Sequence, residues 1–203
     1  MENITRDIGC VVYTAAINRN NPELIEAVAL KIPMLTRAEL LGQLMKNYDT
    51  PIAVSGTHGK TTTTSMISHI LLEGDLDPTI SVGGILKAIG GNIRVGNSGT
   101  FITEACEYTN SFLHFFPKIS VILNIEEDHL DFFKDLEDIR HSFHQFAELL
   151  PEDGTLIINA EIKDYAEIYE GLSCNVVTYG TNGCFDYSAK NITMTKRHVA
   201  LNL

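Results

Sequence analysis

The chain has 203 residues, 44% of them hydrophobic, and a formal net charge of -11. That is ample apolar material for a core, and it argues against a broad nucleic-acid surface or membrane-surface binding, because either anionic partner is repelled at long range. No apolar run approaches the ~20 residues that span a bilayer, and the start Met1 to Asp7 lacks a basic stretch followed by an apolar one, so a cytoplasmic location without membrane insertion is expected.

Residues 9–14 are a strand candidate. Asn21 caps a helix with Pro22 at its first position, and Leu24, Ile25, Val28 and Ala29 are its expected buried stripe. Thr36-Arg37-Ala38-Glu39 has the form of a capping box and opens a second helix, with Leu40, Leu41, Leu44 and Met45 expected inward. Residues 1–47 are too few for a comfortable independent domain. Residues 47–51 read as a linker.

The stretch that follows carries chemistry. Ile52-Ala53-Val54 is a short apolar strand, and Gly56-Thr57-His58-Gly59-Lys60-Thr61-Thr62 is a glycine-bounded loop running into a helix. Backbone N–H groups in such a loop can cradle phosphate, Lys60 can lie along the β and γ phosphates, and a hydroxyl of Thr61 or Thr62 can reach Mg²⁺. The spacing is the shorter G-x-x-G-K-T-T, since Val54 stands where the usual motif has its first glycine. Four successive β-branched threonines suit a helix interior poorly, which favours work for their hydroxyls at its N-terminus over an ordinary turn.

The helix is expected from about Lys60 to Glu73, burying Met66, Ile67, Ile70 and Leu71 and ending near Gly74. Thr79 to Val82 is a strand, and the glycine-rich residues 83–99 read as a hairpin or surface loop. Phe101 to Ala105 and Ile119 to Asn124 are two further strands, ending in Glu104 and followed by Asp128 and His129. If they lie parallel beside the loop strand, Lys60, Glu104 and His129 converge at the carboxyl edge of the sheet, where open α/β folds bind ligands. Glu104 then suits Mg²⁺, and His129 suits a metal, a phosphate or a carboxylate. Ile139, Phe143, Phe146, Ala147 and Leu150 mark a buried helix face, with His141 and His144 on its solvated flank. A turn at residues 151–154, a strand at 155–159, a helix near 161–170, a strand at 174–179 and added β-structure from 185 complete the alternation. Cys10, Cys106, Cys174 and Cys184 show no C-x-x-C spacing and are expected to be reduced, mostly packed thiols.

Three blocks together, Gly56 to Thr63, Thr103-Glu104-Ala105-Cys106-Glu107, and Asn124 to Asp131, resemble the Mur ligases of bacterial cell-wall synthesis. Tyr13 to Ile17, Asn21-Pro22-Glu23 and Ser111-Phe112-Leu113-His114 resemble the alanine-adding branch. The resemblance implies a P-loop-type, mostly parallel α/β sheet flanked by helices over residues 48–203. It also implies that residues 1–47 are the end of a Rossmann-like UDP-binding domain.

The implied activity is ATP-dependent joining of L-alanine to UDP-N-acetylmuramate through an acyl phosphate, with Mg²⁺. Lys60, Glu104 and His129 are the implied catalytic residues, with Thr61, Glu104 and His129 at the metal. Residues 56–62 hold ATP, and Glu107, Asn110, Ser111 and His114 face the sugar nucleotide. Two departures stand out: Cys106 occupies a position where many alanine ligases have aspartate, and His141, Phe143 and His144 stand where several relatives carry a modified lysine. The family has three domains, so the chain is expected to be a fragment, inactive alone. Another Mur-type ligase, a kinase-like module and a non-catalytic ATP-binding remnant are the alternatives.

Overall fold

The computed structural model describes residues 3–14, 16–181, 183–194 and 199–202. The chain runs β1 (Val11–Tyr13), α1 (Pro22–Ala29), β2 (Met34–Thr36), α2 (Arg37–Met45), β3 (Thr50–Ser55), α3 (Lys60–Glu73), β4 (Thr79–Leu86), β5 (Gly91–Arg94) and β6 (Thr100–Glu104). It continues through β7 (Ile119–Ile122), α4 (Leu136–Glu148), β8 (Thr155–Asn159), β9 (Asn175–Gly180), β10 (Tyr187–Ser188), β11 (Lys190–Met194) and β12 (Val199–Asn202). Three 3₁₀ segments lie at Lys87–Ile89, Tyr108–His114 and Tyr165–Tyr169.

Among the described residues the strands form one eight-stranded sheet, in the order β10-β9-β8-β7-β3-β6-β4-β5, and two small two-stranded ones. Every pairing in the large sheet is parallel except β4 with β5. The loop strand β3 is central, with β6 on one side and β7 on the other, so the three strand ends anticipated to converge do lie side by side. β3 is also covered on both faces, with Ala53 in one core cluster and Ile52 and Val54 in another, which explains the uninterrupted apolar run Ile52-Ala53-Val54. The 83–99 region forms the expected hairpin, with Ile80 opposite Arg94 and Ser81 opposite Ile93. Asn97 and Arg94 bind Asp77 at its base and pull that carboxyl down to about 2.

One core cluster joins α4, the 108–114 segment and one face of the sheet, through Phe112, Phe143, Phe146 and Leu156. A second lies on the other face, around Val54, Ile80, Ile102 and Val121, against Ile67 and Leu71 of α3. β1 and β2 pair with each other, apart from the large sheet.

Several expectations change. In α1, Ala27 is buried while Ile25 and Val28 are exposed, so the anticipated stripe is not covered among the described residues. In α2, Met45 is buried and Leu44 exposed. In α3 the buried positions are Thr64 and Ser68, with Met66 and Ile70 exposed. Small side chains let that helix sit close on β3, β4 and β6, so the contact face is chosen by size rather than hydropathy. Thr50 and Pro51 belong to β3 rather than to a linker. Residues 161–170 hold only the 3₁₀ turn Tyr165–Tyr169, entered through Asp164 at φ 51°. Cys10, Cys106 and Cys184 are exposed and Cys174 is half-buried, all four free, so most are not packed. His141 is exposed as expected, whereas His144 is half-buried and its Nδ1 lies 3.1 Å from the Ile168 carbonyl.

The capping box at Thr36 forms in full. Its hydroxyl accepts from the Glu39 amide at 3.1 Å, while the Glu39 carboxylate accepts from the Thr36 amide at 2.6 Å. Those bonds to Thr36 hold the Glu39 carboxyl below its usual range. A depressed carboxylate stabilises the fold above its unfolded pKa and loses that contribution as pH falls through the folded value. Thr36→Ala is expected to cost about 1 kcal/mol in urea denaturation at neutral pH, and less in acid.

Candidate active site

The loop between β3 and α3 owes its path to two glycines. Gly56 has φ +145°, and a Cβ there would stand 2.9 Å from Cβ of Leu123; Gly59 caps α3 at φ +85°. L side chains rarely adopt either conformation. The segment after β7 braces the loop from the side. Asn124 accepts from the His58 amide at 2.7 Å and donates to its carbonyl at 3.0 Å, and the Thr57 hydroxyl accepts from the Glu126 amide at 2.9 Å. This leaves the first turn of α3, with its unpaired N–H groups, open at the edge of the sheet.

Lys60 opens that helix and folds back over the loop. Its ammonium donates to the carbonyls of Gly56 at 2.6 Å and Thr57 at 3.2 Å, and to both oxygens of Glu107 at 2.9 and 3.1 Å. Glu107 is only 2% exposed. His129, at φ 52°, brings Nε2 to 3.8 Å from the same carboxylate, and the Tyr108 ring lies against its ring, centroids 4.6 Å apart and planes tilted by 35°. The Tyr108 hydroxyl donates to Asp131 at 2.8 Å, and that bond raises its pKa.

Glu104 forms a second cluster. It accepts from the Thr61 hydroxyl at 2.8 Å and from the Gly83 amide. A side chain at Gly83 would crowd this carboxylate, with Cβ about 3.0 Å from its oxygen. Thr61 and Glu104 are thus brought together, while His129 belongs with Glu107 and Lys60. Among the described residues no group of three or more His, Cys, Asp or Glu side chains is arranged to hold a metal. A single carboxylate with an adjacent hydroxyl nevertheless suits Mg²⁺, which keeps most of its waters and takes its remaining oxygens from substrate phosphates.

Beside Glu104 opens a cavity of about 380 Å³, between residues 36–41, the middle of β4 and the end of β6. Ser111 and His114 line it, as do Arg37, Cys106 and Tyr108. Glu107 and Asn110 do not. Glu107 is held beneath Lys60, and Asn110, at φ 55°, accepts from Ser142 of α4. Although the Cys106 residue is exposed at the cavity, partial desolvation of its sulfur and the negative charge of Glu107 push the thiol up, so it stays protonated near neutral pH. Two features escaped the sequence: Glu107 as the partner of Lys60, and Asn124 as the brace of the loop. An asparagine directly after a buried strand is a usable signal for the second; the first has none, since its partner lies 47 positions away.

The profile of the Mur ligase middle domain matches residues 54–203, and that of the Mur ligase family catalytic domain matches residues 1–49. The chain belongs to the Mur ligase family. Its central sheet has the Mur ligase middle-domain fold, with a mixed, mostly parallel sheet flanked by helices. It is 62% identical to the UDP-N-acetylmuramate--L-alanine ligase of Agathobacter rectalis, over 95% of this chain and 42% of that protein. Among solved structures it resembles the UDP-N-acetylmuramate-alanine ligase of Thermotoga maritima, with TM-score 0.78 and 27% identity over 95% of this chain and 42% of the other. The UDP-N-acetylmuramate:L-alanyl-gamma-D-glutamyl-meso-diaminopimelate ligase of Neisseria meningitides is similar as well, at TM-score 0.77 and 25% identity, over 94% and 64%. The chain thus spans about two fifths of the length of the curated Mur ligases that it matches.

Proposed function

We propose that this chain carries the ATP-binding part of an enzyme that joins L-alanine to UDP-N-acetylmuramate in peptidoglycan synthesis, forming ADP. The observation that carries the reading is Glu104, which faces both the phosphate loop, through Thr61, and the 380 Å³ cavity. A ligase of this kind must bring two anions together, a triphosphate and an acceptor carboxylate, so neutralising their charge dominates the barrier. A carboxylate standing where loop and cavity meet is placed to hold a cation between them.

In this reading residues 56–62 cradle the phosphates with backbone N–H groups, and Lys60 turns its ammonium from Glu107 and the loop carbonyls toward the phosphate being transferred. Thr61 and Glu104 would hold Mg²⁺, which supplies charge neutralisation at the phosphates when bound. His129 orients the acceptor side from across Glu107. Ser111 and His114 contact the sugar nucleotide in the cavity, while Glu107 and Asn110 shape that wall from behind. The acceptor carboxylate attacks the γ-phosphate to give an acyl phosphate and ADP, and the amine of alanine then displaces phosphate.

Residues 1–47 are read as the end of the UDP-binding domain and 48–203 as the ATP-binding domain. The profile boundaries and the separation of β1 and β2 from the large sheet support this division. A cytoplasmic enzyme is proposed; no helix among the described residues is long and apolar enough to cross a membrane.

A coupled ADP-release assay of the full-length protein tests the reading, with UDP-N-acetylmuramate and each of alanine, glycine and serine. ADP release that needs the sugar nucleotide and is fastest with alanine is expected. Release independent of the amine, or phosphate transfer to a hydroxyl, would overturn it.

A further inference from the structure

The Lys60 ammonium has three N–H donors and is surrounded by four protein oxygens, two backbone carbonyls and both oxygens of Glu107. Every donor is therefore engaged by the protein itself, and the lysine side chain is only 16% exposed. A lysine serving merely as a positive point beside the loop needs no carboxylate behind it. Here a glutamate has been buried to 2% to meet it, a placement that costs desolvation unless a cation stays close.

We propose that Glu107 is a positioning residue acting through Lys60. Its carboxylate draws the ammonium down onto the loop's own carbonyls, and a bound polyphosphate must take the ammonium away from it. The inference rests on the loop being the ATP site. His129 makes the exchange feasible: its Nε2 lies 3.8 Å from Glu107, so a ring N–H can donate to the carboxylate once the ammonium departs. Tyr108 keeps that ring in place through a tilted contact, and is itself anchored to Asp131. The loop thereby presents reduced positive charge until a ligand with several negative charges competes for it.

The consequence runs opposite to that of a structural glutamate. Removing the charge of Glu107 while keeping its shape frees the ammonium and removes a repulsion on the incoming phosphates, which tightens ATP binding by roughly three- to tenfold after screening.

The test uses Glu107→Gln and Glu107→Asp in the full-length protein, with two readouts. The first is acylation of Lys60 by an amine-reactive ester without nucleotide, read by peptide mass spectrometry against Lys163, which is 93% exposed. Lys60 is expected to label several-fold faster than wild type in the glutamine variant, and at an intermediate rate in the aspartate variant, whose shorter arm keeps the charge but holds the ammonium less closely. Unchanged labelling of a folded E107Q protein overturns the proposal. Should that variant fail to fold, the aspartate variant decides: its shorter arm must raise Lys60 labelling above wild type while remaining folded, and wild-type labelling overturns the proposal.

The second readout is the Kd of Mg²⁺·ATP by calorimetry. Tighter binding by E107Q, with the gain lost when Lys60→Met is added, is expected; weaker binding by a folded E107Q would show an anchor rather than a competitor and overturn the proposal. Failure of the wild-type protein to bind ATP would sink the reading of the loop, while the labelling result would still judge the bond between Glu107 and Lys60.

Discussion

Lys60→Ala in the full-length protein is expected to lower kcat by about 10²–10³-fold, the cost of losing one preorganised charged donor at a site where charge accumulates. The side chain is the cation nearest the loop's carbonyls, and its reach is fixed by the first turn of α3. Removing it also strands Glu107, a carboxylate that is 2% exposed and loses both of its ammonium bonds. Breaking one side of a buried pair costs more than the pair was worth, so the variant should melt earlier as well.

Those two effects separate in the double variant Lys60→Ala/Glu107→Gln. Stability should recover in part, because the stranded charge is gone, while the turnover deficit should persist, because the donor is still missing. The checks are kcat from ADP release and the midpoint of thermal unfolding. A deficit below tenfold, or one that recovers along with stability, would remove Lys60 from the phosphate-transfer role.

Much of the site was legible because its parts sit at strand ends, where local signals are strong. The glycines around residues 56–59, the lysine directly after them and the acid closing β6 are all visible without a fold. Their placement at one edge of the sheet needed only that β3, β6 and β7 be parallel neighbours, and the register, with Val54 opposite both Glu104 and Val121, provides it, although the side chains then part into two clusters, Thr61 with Glu104 and Lys60 with Glu107. The capping box at Thr36 and the limits of α3 were legible for the same reason: caps are settled by residues within one turn.

What stayed hidden depended on tertiary placement. Hydropathy favoured Met66 and Ile70 for the buried face of α3, yet close approach of helix to sheet selects Thr64 and Ser68. The family resemblance assigns Glu107 to the sugar-nucleotide side, whereas in the structure it is buried beneath Lys60. Nothing local says that the chain after β6 turns under the lysine. The left-handed residues Thr109 and Asn110, which make that turn, are equally silent in the sequence.

Phe112 holds this turn to the rest of the protein, and Phe112→Ala is expected to destabilise it by about 3–5 kcal/mol in urea denaturation. The ring is fully buried, stacks on Phe146 at 4.6 Å with planes 4° apart, and meets Phe143 edge-on at 5.5 Å and 90°. It is thus the bolt between α4 and the segment that carries Glu107, Tyr108, Ser111 and His114. Truncation opens a cavity among three rings that cannot collapse easily, since Ala53, Ile122 and Leu156 of the sheet are also buried in this cluster. Phe116 is a control a few residues on, 44% exposed with the Lys46 ammonium 3.9 Å above its ring, and its alanine variant should cost only about 1 kcal/mol or less. In conditions where the Phe112 variant remains folded, the proposed roles of cavity and loop predict that a looser cavity wall raises KM for the sugar nucleotide more than KM for ATP, because the loop at residues 56–59 is braced separately through Asn124. Equal rises in both would mean that loop and cavity wall move as one unit, and a loss of stability below 1 kcal/mol would mean that the aromatic cluster does not hold the turn.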